Sequence, residues 1–193
     1  MMSTDYLQLN QTIRKVGEHM HPQWWDKLGL MPWQTLYKTN PLVANRLDNV
    51  ILSRTGCFDG IPKGDIGKVH PWVRLLPRLL MLSTAAGLVA QNCPDYLWDS
   101  EYREALKQTF SQAQIEQLIA LWPPGVEPPV WSPNVMTERA QKYAVSAISQ
   151  YWNGSPFWSV LRLNLPVVEP LEEMKEDEVA CVVAWIFKLE RFL

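Results

Sequence analysis

The chain has 193 residues, of which 47% are apolar and 20% are charged, and its formal net charge is -2. This balance is typical of a globular protein and excludes an intrinsically disordered chain, which has fewer apolar and more charged residues. Lysine and arginine are scattered singly. The electrostatic footprint of a nucleic-acid-binding protein is therefore missing, and we expect no nucleic-acid partner.

The N-terminal third combines helical patterns with an aromatic segment. Apolar residues recur at steps of three and four and predict a helix over residues 5–20. His21-Pro22 is expected to end this helix, because proline disfavours the helical conformation of the residue before it. The tryptophan-containing stretch that follows, residues 24–33, is predicted to be rich in turns.

A helix start and a long loop follow. Asn40-Pro41 has the form of an N-cap followed by proline at the first helical position. Residues 56–68 hold four glycines and a proline, so we predict a loop there and place a subdomain boundary at its end.

The middle of the chain contains its most apolar segment. Pro71 is expected to open a helix and Pro77 to kink or restart it. Residues 78–91 are apolar nearly all round, which predicts a buried central helix. The longest apolar run, Leu79 to Ala90, is shorter than the ~20 residues of a spanning helix, so we expect no membrane insertion. A more polar surface helix is predicted over residues 95–108.

The C-terminal half carries clear helix signals. Ser111 and Gln114 have capping-box spacing, and a proline-rich connector runs from Pro123 to Pro133. An amphipathic helix is predicted over residues 136–152. Residues 161–165 alternate between apolar and polar, which predicts a short strand. A last helix is predicted over residues 172–191, acidic at its start and basic at its end.

These elements predict a mainly α protein, an irregular helical bundle with proline-rich connectors and at most one or two short strands. We expect an N-terminal helical and irregular region, residues 1–68, packed on a helical core domain, residues 69–193. A single domain over residues 1–193 is the alternative.

No motif predicts a catalytic, cofactor-binding or metal-binding residue. The three cysteines, Cys57, Cys93 and Cys181, are far apart and form no CxxC pair, which indicates reduced thiols and a reducing compartment. The glycine loop lacks the GxxxxGK[ST] pattern of a phosphate-binding loop. An enzyme site assembled in space from His21, His70 and Asp26 remains an alternative hypothesis.

Tryptophan is the unusual feature, with ten in the chain. Those in turns and connectors are candidates for a partner interface, because tryptophan is frequent at interaction hot spots. The candidates are Trp24, Trp25, Trp33, Trp131 and Trp158. The alternative is that such rings wedge their loops onto the core.

The order of several segments resembles the SctK family of type III secretion systems, the group that includes YscK, PscK and OrgA. The segments are LPRLLMLSTAAGLVAQ, FSQAQIEQLIAL, LWPPGVEPPVW, TERAQKYAVSAISQYW and LRLNLP, with a weaker similarity at HPQWWDKLGL. The resemblance covers roughly residues 70–170 and, more weakly, 21–30. Leu28-Gly29 stands where that family has Leu-Pro, and residues 31–69 match nothing in it.

The resemblance implies a largely helical, non-enzymatic adaptor of the secretion sorting platform. Such a protein is cytoplasmic and lies beneath the inner membrane through its protein partners. It joins the cytoplasmic domain of the ring protein SctD to the SctQ pods, which connect through SctL to the SctN ATPase. No catalytic residue is carried over, and no cofactor is implied. A secretion chaperone or another regulatory helical binding protein is the alternative.

Overall fold

The computed structural model describes residues 4–56, 66–169 and 174–193. Within these ranges the regular secondary structure is helical, without a strand, which confirms the mainly α prediction. The α-helices are α1 (Thr4–Arg14), α2 (Pro22–Lys27), α3 (Gln34–Thr39), α4 (Pro41–Thr55), α5 (Ile66–Leu75), α6 (Leu79–Val89), α7 (Asp95–Trp98), α8 (Ser100–Leu106), α9 (Gln112–Leu121), α10 (Met136–Tyr151), α11 (Phe157–Leu161) and α12 (Glu176–Leu189). Short 3-10 helices cover Met31–Trp33, Leu76–Arg78 and Arg162–Asn164.

Two predicted helix starts are confirmed by their hydrogen bonds. The Asn40 side chain accepts from the backbone N–H groups of Leu42 and Val43 at 3.0 and 3.2 Å. Ser111 and Gln114 form the reciprocal capping box that begins α9. Each set of bonds satisfies backbone donors that the first helical turn leaves without an intrahelical partner. Most of the predicted loop over residues 56–68 lies outside the described residues.

The predicted strand at residues 161–165 is wrong. Leu161 ends α11 and Arg162–Asn164 form a 3-10 turn. The alternation misleads because Asn164 between the leucines is itself buried, and its amide donates to the Val160 carbonyl at 3.3 Å. A strand also requires a partner strand, which the described residues do not supply.

Other boundaries differ from the predicted ones. The first helix ends at Arg14 rather than near residue 20. His21-Pro22 begins a helix instead of only ending one, because His21 Nδ1 accepts from the Gln23 N–H at 3.4 Å and Pro22 occupies the first helical position. Pro71 lies inside α5 rather than opening it.

The predicted surface helix over residues 95–108 is two helices. α7 and α8 meet at Asp99, whose backbone is extended and whose side chain accepts from the Glu101 N–H at 2.8 Å. The aspartate therefore ends one helix and caps the next.

The Cα positions divide the chain into two compact units. Unit 1 comprises Met1–Leu79 and Trp152–Val167, and unit 2 comprises Leu80–Tyr151 and Val168–Leu193. The predicted division into residues 1–68 and 69–193 stays a prediction.

Unit 1 joins two distant parts of the chain. The His21 N–H donates to the Leu163 carbonyl at 2.8 Å, and the Gln23 side chain accepts from the Val167 N–H at 2.9 Å. The Trp72 and Trp152 rings lie edge to face with centroids 5.8 Å apart. These contacts close the core of unit 1 around buried aromatic rings.

Unit 2 is built on α10 and α12, which pack against each other. The predicted apolar faces of both helices are buried, apart from Tyr143, which is half-buried, and Tyr151, which is 36% exposed. Gly87 of α6 lies so close to α10 that a Cβ there would be 2.1 Å from the Ala140 carbonyl oxygen. A glycine is therefore required at this helix contact.

The central apolar helix is longer than the sequence suggested. Among the described residues, Ile66–Val89 forms a helical segment of 24 residues, long and apolar enough to cross a membrane by length and composition. The length of this segment therefore does not exclude a spanning helix, and the absence of membrane insertion stays a prediction. In this structure 67% of the apolar window is buried inside the protein, as in the core helix of a globular protein.

Candidate protein-interaction surfaces

Trp24 and Trp25 were predicted to face a partner, but both are buried in unit 1. The Trp24 indole N–H points to the carbonyls of Leu165 and Arg162, at 2.9 and 3.1 Å. The Trp25 ring lies edge to face with Tyr37, their centroids 5.3 Å apart. Because α2 turns both rings inward, neither is accessible to a partner, and the wedging alternative describes them.

Trp33 has the exposure that a partner-facing ring requires. Its side chain is 49% exposed, and Met31 and Leu36 are exposed beside it in the sequence. Trp33 and Leu36 are three residues apart across the start of α3, a spacing that brings side chains together on a helix surface. We call Met31, Trp33 and Leu36, three exposed apolar residues in one short segment of unit 1, the N-terminal surface.

Trp131 holds the proline-rich connector in place. Its ring stacks on Tyr96, with centroids 6.1 Å apart and planes 6° apart. The Tyr96 hydroxyl accepts from the N–H groups of Val130 and Trp131, both at 3.2 Å, and the Tyr102 hydroxyl donates to the Trp131 carbonyl at 2.9 Å. Trp131 is half-buried, and these contacts hold the connector against Tyr96 and Tyr102.

The anchored connector presents apolar side chains to solvent. Val126 is 91% exposed and Val130 is 67% exposed. The connector is fixed at its other end by Gly125, where a Cβ would lie 2.0 Å from the Asn92 carbonyl oxygen. Exposed valines on a fixed backbone lose little conformational entropy when a partner covers them.

Trp98, at the end of α7, is 61% exposed and was not among the sequence candidates. The prediction took tryptophans from turns and placed Trp98 within a continuous helix. The break at Asp99 is the signal that points to it, since a helix end can turn an aromatic ring outward. We call Trp98, Val126 and Val130 the connector surface of unit 2.

Trp158 is half-buried on α11, between buried Phe157 and half-buried Ser159. Its exposure lies between that of Trp25 and that of Trp33. Its role at an interface stays a prediction, as do the roles of Trp33 and Trp131.

The groove that His70 lines does not include the other two residues of the alternative enzyme hypothesis. His70 lines a groove of unit 1 with His19, Thr12 and Arg74, and neither His21 nor Asp26 lines it. His21 is occupied in capping α2, and burial lowers its pKa. Among the residues that the structure describes, no group of three or more His, Cys, Asp or Glu side chains is placed to hold a metal ion.

One buried carboxylate in unit 1 was not anticipated. Asp48 of α4 is buried, and its Oδ1 accepts from the Gly17 N–H at 2.9 Å and from the Tyr37 hydroxyl at 3.0 Å. Burial raises the pKa of Asp48, and the two hydrogen bonds oppose that rise. The arrangement ties the turn after α1 to α3 and α4, which is a structural role.

Comparison with known proteins identifies the class of molecule that carries these surfaces. Residues 7–167 match the model of a family described as a type III secretion system subunit. The chain belongs to this family. As a type III secretion system subunit, it is a component of the secretion apparatus and acts among the protein partners of that apparatus.

The family match supports the resemblance drawn from the sequence at the level of the secretion system. No curated protein and no solved structure shows significant similarity to this subunit. The matched range includes both the N-terminal surface and the connector surface, and it ends before α12.

Proposed function

We propose that this subunit is a non-enzymatic adaptor of the secretion sorting platform, of the SctK type. It would bind the cytoplasmic domain of SctD with one surface and SctQ with another, and it would reach SctL and the SctN ATPase through SctQ. Its location would be cytoplasmic, at the inner membrane through these partners.

One observation carries the proposal: each compact unit exposes a tryptophan side chain and further large apolar side chains. The N-terminal surface belongs to unit 1, and the connector surface belongs to unit 2. A protein that links two partners needs two separate surfaces, and exposed aromatic rings supply much of the binding free energy at protein interfaces. The family membership supports partners within the secretion apparatus.

Co-purification with the SctD cytoplasmic domain and, separately, with SctQ of the same source tests the adaptor function. We expect the unchanged subunit to bind both partners. Trp33→Ala is expected to weaken binding to one partner by at least ~30-fold, about 2 kcal/mol, and Trp98→Ala to weaken binding to the other.

Leu42→Ala is the matched control, because Leu42 is exposed but belongs to neither the N-terminal surface nor the connector surface. Circular dichroism of each variant verifies that it stays helical. The proposed function fails if the folded subunit binds neither partner. The assignment of the two surfaces fails if both tryptophan variants bind as the unchanged subunit does.

A further inference from the structure

The outward side of α12 has an unusual composition for a surface helix. Val182 and Ile186 of this helix are buried in unit 2. Ala180, Cys181 and Ala184 are exposed, and no exposed residue of α12 between Asp177 and Lys188 is charged. The solvent side of a surface helix is normally polar or charged, so this side has the composition of a contact surface.

An apolar groove continues this side of the helix. Tyr151 at the end of α10 lines the groove together with Val179 and Val183 of α12. Ala180 and Ala184 also line it, and Gln150 and Glu176 are its two polar lining residues. The groove and the outward alanines together make an apolar strip that runs along the middle of α12 within unit 2.

Opposite charges stand at the two ends of the strip. Glu176 and Asp177 lie in the first turn of α12 and Lys188 in the last. Lys188 is exposed, and its Nζ is 4.1 Å from the centroid of the Trp185 ring. Asp177 and Lys188 are separated by about 16 Å along the helix axis at ~1.5 Å per residue.

When two copies of α12 lie side by side in opposite directions, the acidic end of each helix lies next to the basic end of the other. If two α12 helices lie antiparallel about a twofold axis between Val182 and Val183, Asp177 of each chain lies beside Lys188 of the other. Cys181 and Ala184 then meet at the centre. Their small side chains let the helix axes approach to about 8 Å, the lower end of helix packing distances.

We propose that the outward side of α12 binds α12 of a second copy of this chain in an antiparallel, twofold-symmetric contact. Such an isologous contact uses the same surface on both chains. Because each chain contributes one helix face, we expect a weak, reversible dimer. Since α12 lies outside the family match, the inference does not rest on the proposed adaptor function.

Sedimentation equilibrium of the full chain over a range of concentrations tests the dimer. We expect the mean mass to rise from 22.3 kDa toward twice that value. Ala184→Glu places a larger, charged side chain at the centre of the contact and is expected to weaken dimerisation at least tenfold, about 1.4 kcal/mol. Ala113→Glu is the matched control, because it makes the same change on the exposed side of α9.

A charge exchange tests the antiparallel register. Asp177→Lys and Lys188→Asp each put like charges together at both ends of the contact, so each is expected to weaken dimerisation. The double variant restores opposite charges and is expected to recover it. Circular dichroism verifies that α12 remains helical in each variant.

Two results would overturn the proposal. The first is a mass that stays at one chain up to the solubility limit of the unchanged protein. The second is a dimer whose dissociation constant is unaffected by Ala184→Glu, because that dimer uses another surface.

Discussion

At the scale of single residues, tryptophan side chains of unit 1 differ in solvent exposure. Trp25 is buried against Tyr37, whereas Trp33 is half exposed a few residues later. Both lie in the segment that the sequence marked as aromatic and turn-rich. Their difference arises because α2 turns Trp25 toward the core, and residue type alone does not contain that information.

Asp48 yields a prediction at the same scale. The pKa of Asp48 is raised in the folded protein by burial. Its stabilising contribution is therefore complete below the ordinary carboxyl pKa and is lost as the pH rises through the raised one. Asp48→Asn keeps an oxygen that accepts from Gly17 and Tyr37 but has no charge. We expect it to flatten the dependence of the unfolding free energy on pH across that window, measured by urea unfolding at several pH values.

Tyr37→Phe should change the same measurement in the opposite direction. It removes the hydroxyl that donates to Asp48, so the pKa of the carboxyl rises further and the pH dependence steepens. If both variants have the same pH dependence of the unfolding free energy as the unchanged protein, Asp48 does not contribute to that dependence.

At the scale of elements, local signals placed the helix starts well. Asn40 and Ser111 were predicted as caps and are caps, because a capping bond involves only neighbouring residues. The end of α1 at Arg14 was missed. The apolar spacing continues beyond it to Met20, but the buried side chains after Arg14 lie in a turn and not in a helix.

The contact of α6 with α10 supplies a prediction at this scale. Replacing glycine by alanine inside a helix normally stabilises it by ~1 kcal/mol. At Gly87 the added Cβ would collide with the Ala140 backbone. We therefore expect Gly87→Ala to destabilise the protein by about 1–3 kcal/mol, as overpacking does.

Thermal and urea unfolding measure the effect of that substitution. Gly67→Ala in α5 is the control, because a Cβ added at Gly67 would have no neighbouring atom within 4 Å. It is expected to leave stability unchanged or to increase it slightly. Equal effects of the two substitutions would contradict the close approach of α6 and α10.

At the scale of the whole molecule, unit 1 is discontinuous in sequence. Trp152–Val167 belongs with the first 79 residues of the chain. The Arg162 guanidinium donates to the Thr55 carbonyl at 3.1 Å and lies 5.6 Å from the centroid of the Trp24 ring. Removing the N-terminal region therefore takes away the partners of a segment near residue 160.

A fragment of residues 69–193 tests the consequence. It keeps Trp152–Val167 but loses Trp24, Thr55 and the other N-terminal partners of that segment. We expect the fragment to unfold at a lower temperature than the full chain and to bind a hydrophobic dye at its exposed apolar side chains. A fragment that unfolds at the temperature of the full chain would show that residues 69–193 fold independently.

The sequence by itself determined the helical class, the capped starts of α4 and α9, and the amphipathic helices α10 and α12, because periodicity and capping act between residues a few positions apart. Only the tertiary structure decided which tryptophans face solvent, that residues 161–165 are helical and that Asp48 is buried. These features depend on contacts between residues far apart in the chain, as between Trp24 and Leu165. No local sequence pattern encodes such a contact. Which side chains stay exposed for binding is therefore decided only when these long-range contacts have formed.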